Sequence, residues 1–255
     1  MPNYKDTALL ITHYNRSQSL KRLLETFLNL NVLFGEIVVS DDCSKPEHLN
    51  LIKELQNQFN FKLISAETNS GLGNNINKGQ DAVTLPYTFY VQEDFYPTEK
   101  LLKPFDFAYT ALKKQQEIDI IRFYAYRKYP NLKTYGYGFS TMIFSFLQKG
   151  YGKFYQYSDH PHLRKSNFFK KFGRYAEGLD PEKTEYKMVI KFIQKKGVGL
   201  FYEDHQILFK HGNSELEPST MENERKNWRR SNNIFIALIR NAYRNFKFNR
   251  DYLIQ

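Results

Sequence analysis

Apolar positions along the chain alternate between short β-branched runs and helical spacing. Thr7 to Thr12, TALLIT, has the composition of a strand. From Ser17, read as an N-cap, leucines fall at Leu20, Leu23 and Leu24 with Phe27 beyond, the i, i+3, i+4, i+7 spacing of an amphipathic helix. EIVVS, Glu36 to Ser40, reads as a second strand ending on Asp41 and Asp42. A second helix is predicted from Pro46 to about Phe59, with Ser44 as cap and Pro46 in the first turn, where its missing N–H is not needed. FKLISA then reads as a third strand, NNINKGQDAV as a short helix and YTFYVQ as a fourth strand.

Strands and helices alternating at this length predict an α/β fold, a mostly parallel central sheet flanked by helices on both faces. Ligands of such sheets bind beyond the carboxyl ends of the strands, and polar residues collect there: Thr12 to Arg16, Asp41 with Asp42, and Gln92 to Asp94. Further on, the pattern predicts a helix from Glu99 to about Glu117, a strand IDIIRFYAY and extended segments in KTYGYGFSTMIFSF. A helix from Pro181 to Lys196 follows, capped by Asp180 and ended at Gly197, with strands VGLFYE and QILFKH after it. The reading is one domain over residues 1–215, in two halves (1–100 and 101–215), followed by a basic helical tail, 216–255.

Composition narrows the class. With 255 residues and 41% hydrophobic, the chain can bury a full core. One cysteine, Cys43, excludes an internal disulfide framework; the start MPNYKDTALLI lacks the features of a signal peptide, and no apolar run reaches the roughly 18 residues of a membrane span. The expectation is a soluble, cytoplasmic protein of a reducing compartment. Net charge is +10, and it is concentrated: eight Lys/Arg against one acid between Arg225 and Asp251, six against one between Lys149 and Lys171. Such charge suits a nucleic acid, an anionic membrane surface or phosphorylated substrates. Nucleic acid is set aside, because neither an aromatic RNA-binding strand motif nor a recognition helix is present. In the tail, Phe235, Leu238, Ile239, Ala242, Tyr243 and Phe246 share one broad helical face bordered by Arg240, Arg244 and Lys247. That pattern fits peripheral contact with an anionic membrane surface, and equally a helix packed on its own domain.

GLGNNINKG is not a dinucleotide fingerprint, since Ile76 stands where the third glycine belongs, and no G-K-[ST] of a P-loop occurs. Paired aspartates at a strand end also start turns and cap helices. The ordered series THYNR, EIVVSDDCS, NSGLGNNINKG and FYVQEDFYP is more specific than any of its parts. Together these motifs resemble the N-terminal half of family 2 glycosyltransferases, nucleotide-diphospho-sugar transferases of GT-A fold. The resemblance implies that Thr12 and Tyr14 contact the nucleotide base, with Asn15 and Arg16 completing that segment. It assigns Asp41, with Asp42 beside it, to the base, and Asn69, Gly71 and Asn77 to the third loop. A basic residue usual before that asparagine is replaced by Ile76, with Lys78 as a substitute.

The same resemblance places a D-x-D metal motif at Gln92, Glu93 and Asp94. A divalent cation, Mn²⁺ or Mg²⁺, neutralises the diphosphate leaving group, and hard cations take oxygen ligands. Asp94 is then the direct ligand and Glu93 an outer one, while His211 is a further candidate ligand. An inverting transferase also needs a general base, for which Glu185 is the best match; Glu182 and Asp180 remain alternatives. On its helix Glu185 shares a side with Met188, Val189 and Phe192, which predicts a carboxyl pKa raised by desolvation. His160 and His162, in the segment before the base, are acceptor-side candidates. The implied partners are a nucleotide-diphospho-sugar donor and a saccharide or lipid-linked acceptor. Two other readings stay open: a nucleotidyltransferase, which needs a glycine-rich loop that THYNRS lacks, and a degenerate fold that binds nucleotide sugars without turnover, which Gln92 keeps in view.

Overall fold

The structure, a computed structural model, describes residues 2–212, 217 and 234–254. Its first part runs β1 (Asn3–His13), α1 (Ser17–Asn29), β2 (Leu33–Asp41), α2 (Pro46–Phe59), β3 (Lys62–Ser65), α3 (Gly71–Asp81) and β4 (Tyr87–Gln92). These four strands pair in parallel in the order β3-β2-β1-β4, with Leu9 of β1 opposite Ile37 and Phe89.

Side chains alternate across this sheet and so feed two cores. Leu9, Ile11, Val39, Phe89 and Val91 face one way, against Leu20, Leu23, Leu24 and Phe27 of α1 and Ile52 and Leu55 of α2. Leu10, Val38 and Tyr90 face the other way, against Ile76 of α3. Burial on both faces explains why these strands are apolar runs rather than alternating ones.

The second part adds β5 (Phe95–Pro97), α4 (Leu102–Lys114), β6 (Ile120–Arg122), β7 (Leu132–Gly136), β8 (Phe139–Met142), β9 (His162–Lys165), α5 (Phe168–Phe172), α6 (Pro181–Gln194), β10 (Gly199–Tyr202), β11 (Phe209–His211) and α7 (Ile234–Ile254). The full sheet is ordered β3-β2-β1-β4-β9-β6-β10-β8-β7. Only β9 and β8 run against the others, each antiparallel to both of its neighbours, so the sheet is mostly parallel in direction. A separate two-stranded ribbon pairs β11 with β5 and sets His211 opposite Phe95.

Several local expectations change. Ser17 is the first helical residue of α1 rather than its cap; the cap position is Arg16. Lys45, not Ser44, precedes α2, because the Ser44 hydroxyl is spent on Asp41. The helix expected from Glu99 to Glu117 begins as a 3-10 turn, Glu99–Leu101, and ends at Lys114. Asp180 does cap α6, accepting the Lys183 N–H at 2.9 Å. The glycines of GLGNN have a steric role: Gly71 sits at φ +82°, and a Cβ on Gly73 would lie 2.2 Å from the Ala176 carbonyl oxygen.

Candidate functional site

Strands β1, β2 and β4 end together, and the loops after them are held by hydrogen bonds that begin at His13. Its Nδ1 lies 2.8 Å from Asp41 Oδ1, while its Nε2 accepts the Arg16 N–H at 3.1 Å, which puts the ring proton on Nδ1. Ser44 donates through its hydroxyl and its backbone N–H to the same Asp41 carboxylate. Burial works to raise the Asp41 pKa, but His13 and Ser44 outweigh it and hold the acid below its usual range. Asp41 has no exposed surface, so its carboxylate serves the loop framework. Asp42 accepts the N–H groups of Ser70 and Gly71, bringing the third loop to the second; burial, aided by Asp41, pushes its pKa up.

The other nucleotide-side candidates surround this frame. Thr12 shares a hydrogen bond of 3.0 Å with the Tyr90 hydroxyl. Tyr14 is half-buried, and Asn15 adopts φ +53° while its side chain accepts the Lys45 N–H. Asn69 is exposed and accepts the Gly71 N–H. Lys78 donates to the Asp41 carbonyl, which places a cation beside the strand end where Ile76 points into the core. Asn77 is turned elsewhere: buried, it bonds Tyr175 and Glu177, so it ties α3 to the segment before α6.

The end of β4 gathers the charge. Arg16 donates to Asp94 Oδ2 at 2.7 Å and lies 3.7 Å from Glu93. His211 Nε2, brought by the β11–β5 ribbon, lies 3.0 Å from the same Oδ2. Burial opposes ionisation of Asp94, yet His211 and Arg16 prevail and lower its pKa; burial and the adjacent Asp94 push Glu93 up to about 8. Glu217 completes the cluster, accepting the N–H groups of Gln18 and Ser19 at the start of α1 while its carbonyl faces Arg16.

A divalent cation fits here in part. Asp94 Oδ1 is buried and has no hydrogen-bond partner among the described residues, and His211 adjoins it. Glu93 turns to Arg16 instead, and among the described residues no three His, Cys, Asp or Glu side chains converge on one point. Asp94 and His211 therefore offer a two-residue ligand set, with the remaining positions open to diphosphate oxygens and water.

On the acceptor side, Glu185 is half-buried on α6 and accepts the Asp159 N–H at 3.4 Å. The acid with the strongly raised pKa is Asp159, through burial first and the Glu185 charge next. Arg122 lies nearby, lowered to about 10 by burial, with its guanidinium on the Tyr155 carbonyl. Of the other base candidates, Asp180 is committed to its cap and Glu182 lies in the first turn of α6. Neither histidine stands free in solvent: His160 lies in the bend before β9, and His162 opens that strand. His162 lies inside β9 with no exposed surface, so contact with an acceptor is closed to it. His160 is half-buried, hydrogen-bonded to Ser158 and packed on Tyr124, Tyr126 and Phe95; burial and Arg122 push its pKa down to about 3, leaving it neutral.

Sequence reasoning missed His13, Arg122, Asp159 and Glu217. His13 was recoverable, since it stands between Thr12 and Tyr14 at the end of β1; the others depend on contacts between distant segments.

The family model of glycosyl transferase family 2 matches residues 8–172, from β1 through α5. Among curated proteins, poly-beta-1,6-N-acetyl-D-glucosamine synthase of Staphylococcus epidermidis is 27% identical over 108 residues, covering 37% of this chain and 26% of that protein. The same enzyme of S. epidermidis strain RP62A is 26% identical over an equal span. The chain thus spans about a quarter of the length of the curated relatives it matches. Among solved structures, S. aureus TarS 1-349 superposes with a TM-score of 0.59 at 17% identity, covering 80% of this chain and 59% of that one. Its complex with UDP-GlcNAc gives 0.60 at 17%, covering 84% and 61%. The arrangement of sheet and helices is therefore the GT-A fold.

Proposed function

The chain belongs to glycosyl transferase family 2, and from that premise we propose that it is an inverting, metal-dependent transferase moving a sugar from a nucleoside diphosphate to a saccharide or lipid-linked acceptor. The observation that carries this reading is the end of β4, where buried Asp94 keeps one oxygen without a partner among the described residues, beside Arg16 and His211.

In this reading Thr12, Tyr14, Asn15, Asn69 and Gly71 form the wall for base and ribose. Asp41 and Asp42 act through the loops they hold, with Asp42 fixing the Ser70 and Gly71 amides and Asp41 fixing His13 and Ser44. Asp94 and His211 hold the divalent cation, which supplies charge neutralisation for the diphosphate as it leaves. Arg16 adds a fixed positive charge at the same place, and Glu93 sits behind it. Glu185 takes the proton of the acceptor hydroxyl as that oxygen attacks the anomeric carbon from the face opposite the diphosphate. Asp159, protonated, holds its position against Glu185. UDP-sugars are the first donors to test, given the UDP-GlcNAc complex of TarS.

A second reading, nucleotide-sugar binding without turnover, is favoured by Gln92 in place of the first acid and by the two-residue ligand set. The test is a thermal-shift series of nucleoside diphosphates and their sugars, with and without Mn²⁺ or Mg²⁺, followed by a donor-hydrolysis assay. Metal-enhanced stabilisation with turnover is expected; stabilisation without turnover selects the second reading, and no stabilisation by any nucleotide rejects both.

A further inference from the structure

We propose that α7 is a docking surface for an anionic lipid membrane, lying in the plane of the interface with its apolar face outward. The inference rests on the fold alone and not on the transferase reading. One side of α7 is seated on the domain: Phe248 packs on Tyr151 and Phe154, Tyr252 on Phe144, Asp251 accepts the Tyr186 hydroxyl, and Arg244 donates to the Tyr151 hydroxyl. At 100° per residue these anchors occupy one half of the helix. The opposite half carries Leu238, Ile239, Tyr243, Phe246, Leu253 and Ile254, each 58–75% exposed. An amphipathic helix has thus been mounted with its apolar stripe toward solvent, opposite to the usual arrangement. The loop after β8 adds to it: Phe146 packs on Tyr252, and the adjoining Leu147 is 90% exposed.

Charge selects the occupant. Helix α7 carries Arg240, Arg244, Lys247 and Arg250 against one acid, Asp251; Arg250 stands within the outward stripe and pairs with Asp251 at 2.6 Å, and Lys247 lies at the edge of the seat over the Tyr186 ring, which leaves the helix with a net positive charge. The sequence just before, with Arg225, Lys226, Arg229 and Arg230 around Trp228, is equally basic; it lies outside the described residues, as does the side chain of Phe235. Two copies related by a two-fold axis through this stripe would set these cations against one another. Anionic headgroups pair with them while the acyl boundary takes the apolar stripe. No described helix is long and apolar enough to cross a membrane, and α7, about 30 Å long, has its polar seat on the protein, so it lies along the surface.

The experiment is flotation of the full chain with vesicles of phosphatidylcholine alone or mixed with phosphatidylglycerol, at low and high salt. Binding to the mixed vesicles only is expected, falling with salt. Ile239→Ser combined with Phe246→Ser should weaken it by about tenfold or more. Arg240→Gln and Lys247→Gln should weaken it about fivefold each. Ile239 and Phe246 lie off the seated face, whereas Lys247 rests over the Tyr186 ring at 4.3 Å, so an unchanged melting temperature and circular dichroism spectrum are required of every variant. No binding by the unaltered chain, equal binding to neutral vesicles, or insensitivity to the apolar pair would overturn the proposal. A dimer that the apolar pair breaks, without vesicle binding, would give the face to a second copy.

Discussion

At the end of β4, Glu93 and Asp94 meet a cation and an imidazole: Arg16 at 2.7 Å and His211 at 3.0 Å from Asp94 lower its pKa against the pull of burial. Beside it, where Gln92 donates to the Asp159 carbonyl at 3.5 Å, Asp159 and Glu185 form a second acid pair whose nearby cation, Arg122, spends its hydrogen bond on a backbone carbonyl, and there burial and the Glu185 charge push the Asp159 pKa up. The contrast teaches how one fold prepares acids for different work. In the proposed reading the acid flanked by Arg16 serves the diphosphate end of the donor, and the desolvated acid pair serves proton transfer.

The comparison can be broken at its proton side first. Glu185→Gln should lower kcat by about 10² to 10⁴-fold with the donor dissociation constant unchanged, since a base acts only in the transfer step; unchanged turnover would remove Glu185 from that role. At the cation side, Asp94→Asn should reduce turnover by about 10² to 10³-fold and abolish the metal-dependent part of the nucleoside diphosphate thermal shift, read in the same melting assay. Asp159→Asn sharpens the contrast. We expect roughly a tenfold loss of kcat, because the acid packed against Glu185 and held to it through its backbone N–H is replaced. Stability responds with a definite sign. A folded-state pKa raised above 3.8 gives Asp159 its full stabilising contribution below that value and loses it as pH rises. The variant should therefore gain on the parent as urea unfolding is followed from acid to neutral pH. The smallest effect is expected at Glu217→Ala, about 1 to 2 kcal/mol of stability from the lost α1 cap, measured by urea unfolding, with turnover reduced only through Arg16.

The two regions also differ in how far the sequence exposes them. Strands β1, β2 and β4 were readable because both sheet faces are apolar, and α1 and α6 because their stripes repeat at helical spacing. The acceptor half resisted for physical reasons. Strand β9, HLRK, is polar in composition and yet lies mid-sheet: Arg164 has no exposed surface and is held by Gln80, the Tyr175 hydroxyl and the Phe168 ring. Such burial depends on partners up to 84 residues away, which no local pattern displays. The ribbon strands β5 and β11 are three residues each, too short for a period. His211 was found through the family resemblance, and its distance to Asp94 came only with the ribbon.

Glu217 carries a consequence for the order of events on the ribosome. Its carboxylate closes the first turn of α1 from 198 residues downstream of Ser19, so the amides of that turn must wait, hydrated or loosely paired, until most of the chain has been synthesised. Helix α1 and its strands can dock early on their apolar contacts, but the charged lattice of Arg16, Asp94 and the α1 terminus locks only once His211 and Glu217 have been made. The first strands and helices would then reach their finished form about two hundred residues after they are made.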